Sequence, residues 1–489
     1  MSWLVVAPII VPLLAAAVST AAGGRPRVQR VVGIGAIVAH LAIAIMLLVR
    51  VDRLGTQVVD VGAWPAPAGI ALVADRFSAI LLTVAAVMFL AVLVYAVAQM
   101  KWEETTWYFH PVYLTLTAGV SVAFLTGDIF NLFVAFEVTL ISSYVLLTLR
   151  AERREVRATM TYVIINLLAS ALFLSGVAFL YAATGTVNMA DLAGRVGNLP
   201  DPVRIGLGTL FLVVFGIKAA IFPLFNWLPD AYPTAPTAVT AIFAGLLTKI
   251  GVYAIVRTQT LIFAPEGPST LLLFIAGATM LIGVLGAVSQ GEVKRILSFH
   301  IISQIGYMIM GLGFLTLAGL AATVLYMVHH IVVKTGLFLV GGLVEAEAGT
   351  GRLERLGGLL HRGPVAAVLF LPLALSLAGL PPFSGFVAKL ALIREGLALD
   401  RPVVVAVSLL VSLLTLFSMT KIWAAAFWGE SEDRPARPFD RTMVGATAAL
   451  LVVSLVVAFA AQPLYELAAR AAGDLVDPGA YVEAVMGRA

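Results

Sequence analysis

Apolar segments about as long as a membrane-crossing helix alternate with short polar loops along almost the whole chain. A spanning helix needs about 20 residues, and about fourteen such segments fit into the sequence. They lie at 3–22, 28–49, 74–98, 108–126, 129–149, 158–182, 205–226, 236–257, 270–289, 294–314, 317–343, 364–394, 402–428 and 442–461. This pattern predicts an all-α polytopic membrane protein, with residues 1–489 forming one transmembrane domain.

Proline interrupts two of these segments at membrane depth. Span 7 is broken at Pro223, and span 12 is broken at Pro381 and Pro382 in the sequence LAGLPPFSGFVAKL. The breaks lie five spans apart, an odd number that would invert the second unit relative to the first. We therefore expect two inverted five-helix repeats, spans 4–8 within 104–258 and spans 9–13 within 270–428. Broken helices in corresponding positions indicate a transport site, because irregular backbone at that depth must line protein or water.

The composition agrees with a membrane protein and narrows its chemistry. The chain is 61% hydrophobic and 12% charged, whereas soluble domains average about 25% charged residues. It has no cysteine, which excludes disulfides and cysteine-ligated iron–sulfur clusters. Nucleotide, metal and nucleophile motifs such as G-x-x-x-x-G-K-[ST] are absent, so we expect no cofactor, no metal and no enzyme activity of its own. The net charge of +4 reflects arginines in loops, and we expect no nucleic-acid partner.

Basic residues cluster in loops that would all lie on one side of the membrane. Arg25, Arg27 and Arg30 follow span 1, and Lys294 and Arg295 lie between spans 9 and 10. The positive-inside rule makes this side cytoplasmic. With an even number of spans, both termini would then lie outside.

Ionisable residues occur inside several of the apolar segments, where each costs roughly 3 kcal/mol. Such residues are rare at that depth and commonly mark ion pathways or proton relays. An alternative for the lysines is structural, since a lysine can cap a backbone carbonyl or extend its amine to the interface. The six candidates for proton translocation are Glu137, Lys218, Lys249, His330, Lys334 and Lys389.

Glu137 and Lys218 are expected to interact, because a lone carboxylate at that depth would take up a proton instead. Both residues lie in the same expected repeat. Two interacting groups titrate as a unit, so a change in their separation would change the proton affinity of the lysine. The alternative is a static buried ion pair.

Span 11 carries a second candidate pair. His330 and Lys334 are four residues apart and therefore share a helix face, which favours a proton relay over a solitary buried histidine. His329 points about 100° away from that face. In span 10, Ser303, Gln304 and Tyr307 form a polar stripe, which either lines water or makes hydrogen bonds between helices.

Several long motifs give the chain a family resemblance. They are the stretch PLFNWLPDAYPTAPTAVTAIFAGLLTKIGVYAI with its preceding lysine, the glutamate of span 5, the stretch KRILSFHIISQIGYMIMGLG and the break LPPFSGFVAK. Together they resemble the antiporter-like subunits shared by Mrp-type multisubunit Na⁺/H⁺ antiporters and the proton-pumping membrane subunits of respiratory complex I. The resemblance covers nearly the whole chain and implies a fourteen-helix fold with inverted repeats and a chain of water-linked charged residues. The positions that match the charged residues of the family are Glu137, Lys218, Lys249, His330, Lys334 and Lys389.

Within this family the chain is more similar to the antiporter branch. Lys249 and Lys389 differ from the histidine and the glutamate that some complex I relatives have in spans 8 and 12, and Asn226 and Tyr232 stand where others often have histidines. The resemblance thus implies a proton-translocating subunit of a Na⁺/H⁺ antiporter in a bacterial cell (inner) membrane. Its expected partners are the other subunits, the lipid bilayer, protons and Na⁺, which we expect to pass through a neighbouring subunit.

Three alternative functions stay open from the sequence. The first is a pump subunit of complex I, in which quinone chemistry elsewhere drives the protons. The second is a solitary carrier for a small solute, and the third is a structural scaffold. Dependence of proton movement on electron transfer would identify the first, and activity of the purified single chain would identify the second.

Overall fold

Helices follow one another along the chain with short connections, as the apolar segments predict. The structure is a computed structural model that describes residues 3–99, 107–149, 153–264, 267, 269–428 and 440–487. Up to the first broken span its elements are α1 (Trp3–Ala21), α2 (Pro26–Leu54), β1 (Gln57–Asp60), β2 (Ala71–Ala74), α3 (Arg76–Gln99), α4 (Phe109–Leu125), α5 (Ile129–Leu147), α6 (Arg153–Thr184), α7 (Met189–Arg195) and α8 (Asp201–Ala219). Strands β1 and β2 form an antiparallel hairpin in which Gln57 pairs with Ala74 and Asp60 with Ala71.

The second part of the chain contains the remaining helices. They are α9 (Leu228–Ala231), α10 (Thr237–Ile242), α11 (Thr248–Leu261), α12 (Thr270–Ser289), α13 (Val293–Phe314), α14 (Leu317–Ala348), α15 (Leu359–Arg362), α16 (Pro364–Ala378), α17 (Ser384–Ala398), α18 (Pro402–Trp423), α19 (Arg441–Phe459), α20 (Ala461–Val476) and α21 (Gly479–Met486). Two π-helical segments, Phe243–Leu247 and Ala424–Trp428, continue α10 into α11 and extend α18.

The number of helices that could cross a membrane is close to the number expected. Among the described residues, 12 helices are long and apolar enough, counting α10 to α11 as one. Two shorter apolar helices, α4 and α16, also fall on predicted spans. The polytopic all-α fold is therefore confirmed, while the count of fourteen spans stays a prediction.

Three helical units form the centre of the molecule. The spanning parts of Thr237–Leu261 and Leu317–Ala348 are entirely buried, and α13 is almost so. Helix α14 packs against α3, α10, α13, α16, α17, α19 and α20, so it is enclosed on all sides. By contrast, the outer helices α1, α2, α6, α12, α18 and α19 bury less than half of their spanning residues. The central helices carry three of the six ionisable candidates, Lys249, His330 and Lys334, which are thus shielded from lipid.

Both predicted helix breaks are present. Each break releases backbone groups from helical hydrogen bonding close to an ionisable side chain. Helix α8 ends at Ala219, where Ala220 takes a left-handed conformation with φ 58°. Trp227 Nε1 donates to the carbonyl of Ile217, in the last turn of α8, at 3.0 Å. Helix α16 ends at Ala378, and Gly379 has φ 88°. The inverted-repeat relation stays a prediction, and its first residue, 104, lies outside the described part of the chain.

A buried ion pair that the sequence did not point out connects the centre to the C-terminal helices. Arg257 Nη2 lies 2.6 Å from Asp75 Oδ2, with only 4% and 2% of the two side chains exposed. The guanidinium also lies over the rings of Phe77, Tyr253 and Tyr481, at 5.6, 5.4 and 5.2 Å. Because Tyr481 belongs to α21, this pair holds α21 against the ends of α3 and α11.

Replacing Asp75 by alanine is expected to destabilise the protein by about 3–5 kcal/mol, because it leaves the Arg257 charge buried without its partner. The matched control is Asp52→Ala. Asp52 also accepts hydrogen bonds from arginines, Arg76 at 3.0 Å and Arg470 at 2.9 Å, but its side chain is 29% exposed. Exposed pairs contribute only about 0–1 kcal/mol. Thermal unfolding of the purified protein should show a much larger loss for Asp75→Ala, and equal losses would contradict a structural role specific to this pair.

Candidate functional site: a row of buried ionisable side chains

The first element of the site joins α5, α6 and α8 through a serine hydroxyl. Ser170 Oγ on α6 donates a short hydrogen bond to Glu137 Oε1 on α5. Lys218 Nζ on α8 donates to the same Ser170 Oγ at 3.1 Å and to the carbonyl of Asn166 at 3.1 Å. The expected Glu137–Lys218 interaction is therefore bridged rather than direct. Ser170 was missed by the sequence analysis, because a serine in an apolar helix gives no signal of its own.

Lys249 is the second residue after the π-helical segment, and its side chain is fully buried. Its Nζ donates to the carbonyl of Ala244 at 2.6 Å and to Thr248 Oγ1 at 3.2 Å. Irregular π turns inside α-helices occur frequently at functional sites. Here the π turn supplies the carbonyl that holds the amine in place.

Close helix packing brings the Lys218 and Lys249 segments together. A Cβ atom on Gly251, two residues after Lys249, would lie 2.5 Å from the backbone nitrogen of Ala219. Only glycine permits this approach of α11 to the end of α8. The sequence placed Lys218 and Lys249 in neighbouring spans, but this contact is visible only in three dimensions.

The predicted pair on α14 lies opposite Lys249. His330 and Lys334 share one face of the helix, and both lie within electrostatic reach of Lys249. Neither the Lys334 amine nor either ring nitrogen of His330 has a hydrogen-bond partner among the described residues. The Lys334 amine lies 5.8 Å from the centre of the Phe338 ring. Capping of a backbone carbonyl therefore does not explain the presence of Lys334.

Lys389 lies on α17, just past the break in span 12. Its Nζ donates to the carbonyls of Leu377 and Ala378, at 3.1 and 3.0 Å, at the end of α16. It also donates to Ser412 Oγ on α18 at 3.1 Å and lies 4.7 Å from the Tyr307 ring. The side chain is 4% exposed, so the interpretation that it extends to the membrane surface is wrong.

His329 points away from His330, as predicted, but it is not isolated. Its Nδ1 hydrogen-bonds Ser384 Oγ at 2.8 Å at the start of α17, and its ring lies within electrostatic reach of Lys389. The polar stripe of span 10 makes contacts between helices. Tyr307 OH contacts Ser412 Oγ at 2.9 Å, and Gln304 Oε1 accepts a hydrogen bond from Tyr326 OH.

The six candidate residues lie on α5, α8, α11, α14 and α17, and we refer to them as the row. Ser170 bridges Glu137 and Lys218, and Lys249 lies within electrostatic reach of the pair on α14. Amines and imidazoles dominate the row, and both types of group can bind and release a proton. Broken helices, buried titratable groups and a multi-pass helical fold together define the class of membrane proteins that move ions.

Comparison with known proteins gives the family. Residues 126–415 match the family model described as NADH:quinone oxidoreductase/Mrp antiporter, TM. The chain is 44% identical to the D-type subunit of the Na⁺/H⁺ antiporter of Alkalihalophilus pseudofirmus, over 99% of this chain and 100% of that protein. It is 38% identical to the corresponding D-type subunit from Bacillus subtilis, with the same coverage.

A solved structure also has the same fold as this chain. A chain in the structure of the Mrp complex from Dietzia sp. DQ12-45-1b superposes with a TM-score of 0.92 and 37% identity, covering 100% of both chains. The protein belongs to the family of NADH:quinone oxidoreductase and Mrp antiporter membrane subunits. It is a multi-pass membrane protein of that family.

Proposed function

We propose that this chain is the D-type, proton-translocating subunit of a multisubunit Na⁺/H⁺ antiporter in a bacterial cell membrane. The observation that carries the proposal is the series of titratable groups from the half-buried Glu137 to the buried Lys389. Both named relatives are D-type antiporter subunits, and a chain of the same fold belongs to an Mrp complex. These likenesses support the antiporter and its multisubunit assembly.

Each residue of the row has a place in the proposed route. Protons reach Lys218, pass to Lys249, continue through His330 and Lys334 and arrive at Lys389, from which they leave on the other side. The middle step of this route is supported by the position of Lys249, which lies within electrostatic reach of both candidates on α14.

Glu137 and Ser170 set the proton affinity of Lys218 in this proposal. A hydroxyl that donates to the carboxylate and accepts from the amine connects the two groups without fixing them as a direct ion pair. Separation of α5 from α8 would weaken the influence of the carboxylate and lower the proton affinity of the amine. This contact is what favours a switch over a static ion pair.

Proton transport is a better fit to these side chains than sodium transport. Sodium prefers oxygen ligands, and an amine or imidazole that carries a proton would repel it. We therefore place the sodium route in a neighbouring subunit and the proton route in this chain.

The test uses inverted membrane vesicles that contain the complete complex in a host without other Na⁺/H⁺ antiporters. Addition of Na⁺ should move protons across the membrane with no respiratory substrate present. The complex I alternative predicts the opposite result, in which protons move only after an electron donor is supplied.

A further inference from the structure

A second polar strip lies beside the proposed row, at the interface of α13 and α18. On α13, His300, Gln304 and Tyr307 follow one another at helical spacing, so they share a face. On α18, four hydroxyl residues recur about once per turn: Ser408, Ser412, Thr415 and Ser418. The two faces touch at Ser418 and at Ser412. His300 Nε2 hydrogen-bonds Ser418 Oγ, and Tyr307 OH contacts Ser412 Oγ at 2.9 Å.

His300 is the titratable residue at one end of this strip. It is fully buried, and its Nδ1 has no hydrogen-bond partner among the described residues. The charged and titratable groups around it come from two other helices. Lys334 and His330 on α14 and Lys389 on α17 all lie within electrostatic reach of its ring.

The other end of the strip is Lys389 itself. Its amine donates to Ser412 Oγ at 3.1 Å and faces the Tyr307 ring at 4.7 Å. Ser418 and Ser412 are six residues apart, about 9 Å along the helix axis. The hydroxyl of Thr415 divides this distance into two steps of about 5 Å, which one bridging water each can span.

The strip connects two parts of the row that have no direct hydrogen bond to each other, the pair on α14 and Lys389. No hydrogen bond in the described part of the chain joins Lys334 or His330 directly to Lys389, although the proposed route needs a transfer between them. We propose that His300 is a relay residue that passes protons between the His330–Lys334 pair and Lys389, along the α18 hydroxyls Ser418, Thr415 and Ser412. This inference rests on the proposed function.

The chemistry of the relay is a simple proton balance. A proton from Lys334 binds at Nδ1 of the neutral imidazole, and the resulting imidazolium releases its Nε2 proton to Ser418 Oγ. That hydroxyl gives up its own proton toward Thr415, and the last transfer protonates a neutral Lys389. Each hydroxyl ends with the proton it receives, and reversal of the His300 tautomer restores the starting state.

The test replaces His300 by glutamine. The glutamine amide can place a donor near the Nε2 position and keep the contact with Ser418, but it cannot bind a further proton. The chain offers a matched control in His40 on α2. His40 is equally buried, and its Nε2 makes the same type of contact, to Ser121 Oγ on α4 at 3.0 Å.

With normal amounts of assembled complex, His300→Gln should lower the rate of Na⁺-driven proton movement by about tenfold or more, while His40→Gln keeps the parent rate. The parent rate in His300→Gln would overturn the proposal. So would loss of transport in His329→Gln alone, because the competing route runs from His329 through Ser384 to Lys389.

A second pair keeps the test decisive if His300→Gln does not assemble. Ser418→Ala removes the hydroxyl next to His300, and Ser121→Ala removes the corresponding hydroxyl next to His40. Slower transport in Ser418→Ala alone supports the relay, and equal rates overturn it.

Lys389→Ala in the same vesicles separates the relay proposal from the proposed function. Loss of transport in Lys389→Ala beside a fully active His300→Gln overturns the relay only, whereas full activity in both variants overturns the proposed function.

Discussion

Replacement of Lys249 by alanine is expected to abolish Na⁺-driven proton movement, with a loss of about a hundredfold or more. Lys249 lies between the Lys218 segment and the two candidates on α14, so its removal interrupts the route in the middle. Its amine is fully buried and held by the carbonyl of Ala244. The residue thus has no surface role that could explain its presence.

Lys249→Arg distinguishes a proton carrier from a fixed positive charge. Arginine keeps the charge but does not release its proton in proteins. We expect this variant to be as inactive as Lys249→Ala, provided that immunoblots show equal amounts of the complex in the membrane. Substantial transport by Lys249→Arg would mean that the position requires only a charge.

Replacement of Lys389 by alanine is expected to reduce transport to a similar extent, because Lys389 is the last group of the route. Lys421 supplies a close control. Its Nζ donates to the carbonyls of Val288 and Gln290, at 3.0 and 2.7 Å, at the end of α12. Both lysines therefore cap two carbonyls at a helix end, but only Lys389 belongs to the row.

If the capping contacts alone matter, Lys389→Ala and Lys421→Ala should lose the same amount of transport. If Lys389 carries protons, Lys421→Ala should stay close to the parent rate. The comparison is made on initial rates of Na⁺-driven proton movement in vesicles with equal amounts of complex. It tests the structural alternative that the sequence left open for the buried lysines.

The sequence predicted the helical fold well, because each membrane span must satisfy its own backbone and therefore appears as a long apolar run. The breaks were also visible, since a proline in a helix interior removes a backbone hydrogen bond and favours a kink or a break. The π turn before Lys249 was not visible. Its sequence, Phe243–Leu247, is as apolar as any helix and contains no proline, so only the three-dimensional packing reveals it.

The candidate residues were found because a charge inside an apolar run is easily recognised, but their partners were not. Ser170 and the α18 hydroxyls are ordinary small polar residues, common in membrane helices as packing groups. Arg257 met the criterion of a charge in an apolar span and could have been found that way. Its partner Asp75 lies at the end of a distant helix, and such a pairing depends on the tertiary fold.

The most direct test of the central claim, that protons cross the membrane through this chain, compares the parent complex with Lys218→Ala in inverted vesicles without respiratory substrate. We predict Na⁺-driven proton movement in the parent and none in the variant, with both complexes fully assembled. Normal antiport by Lys218→Ala would contradict the claim and place the proton route in another subunit.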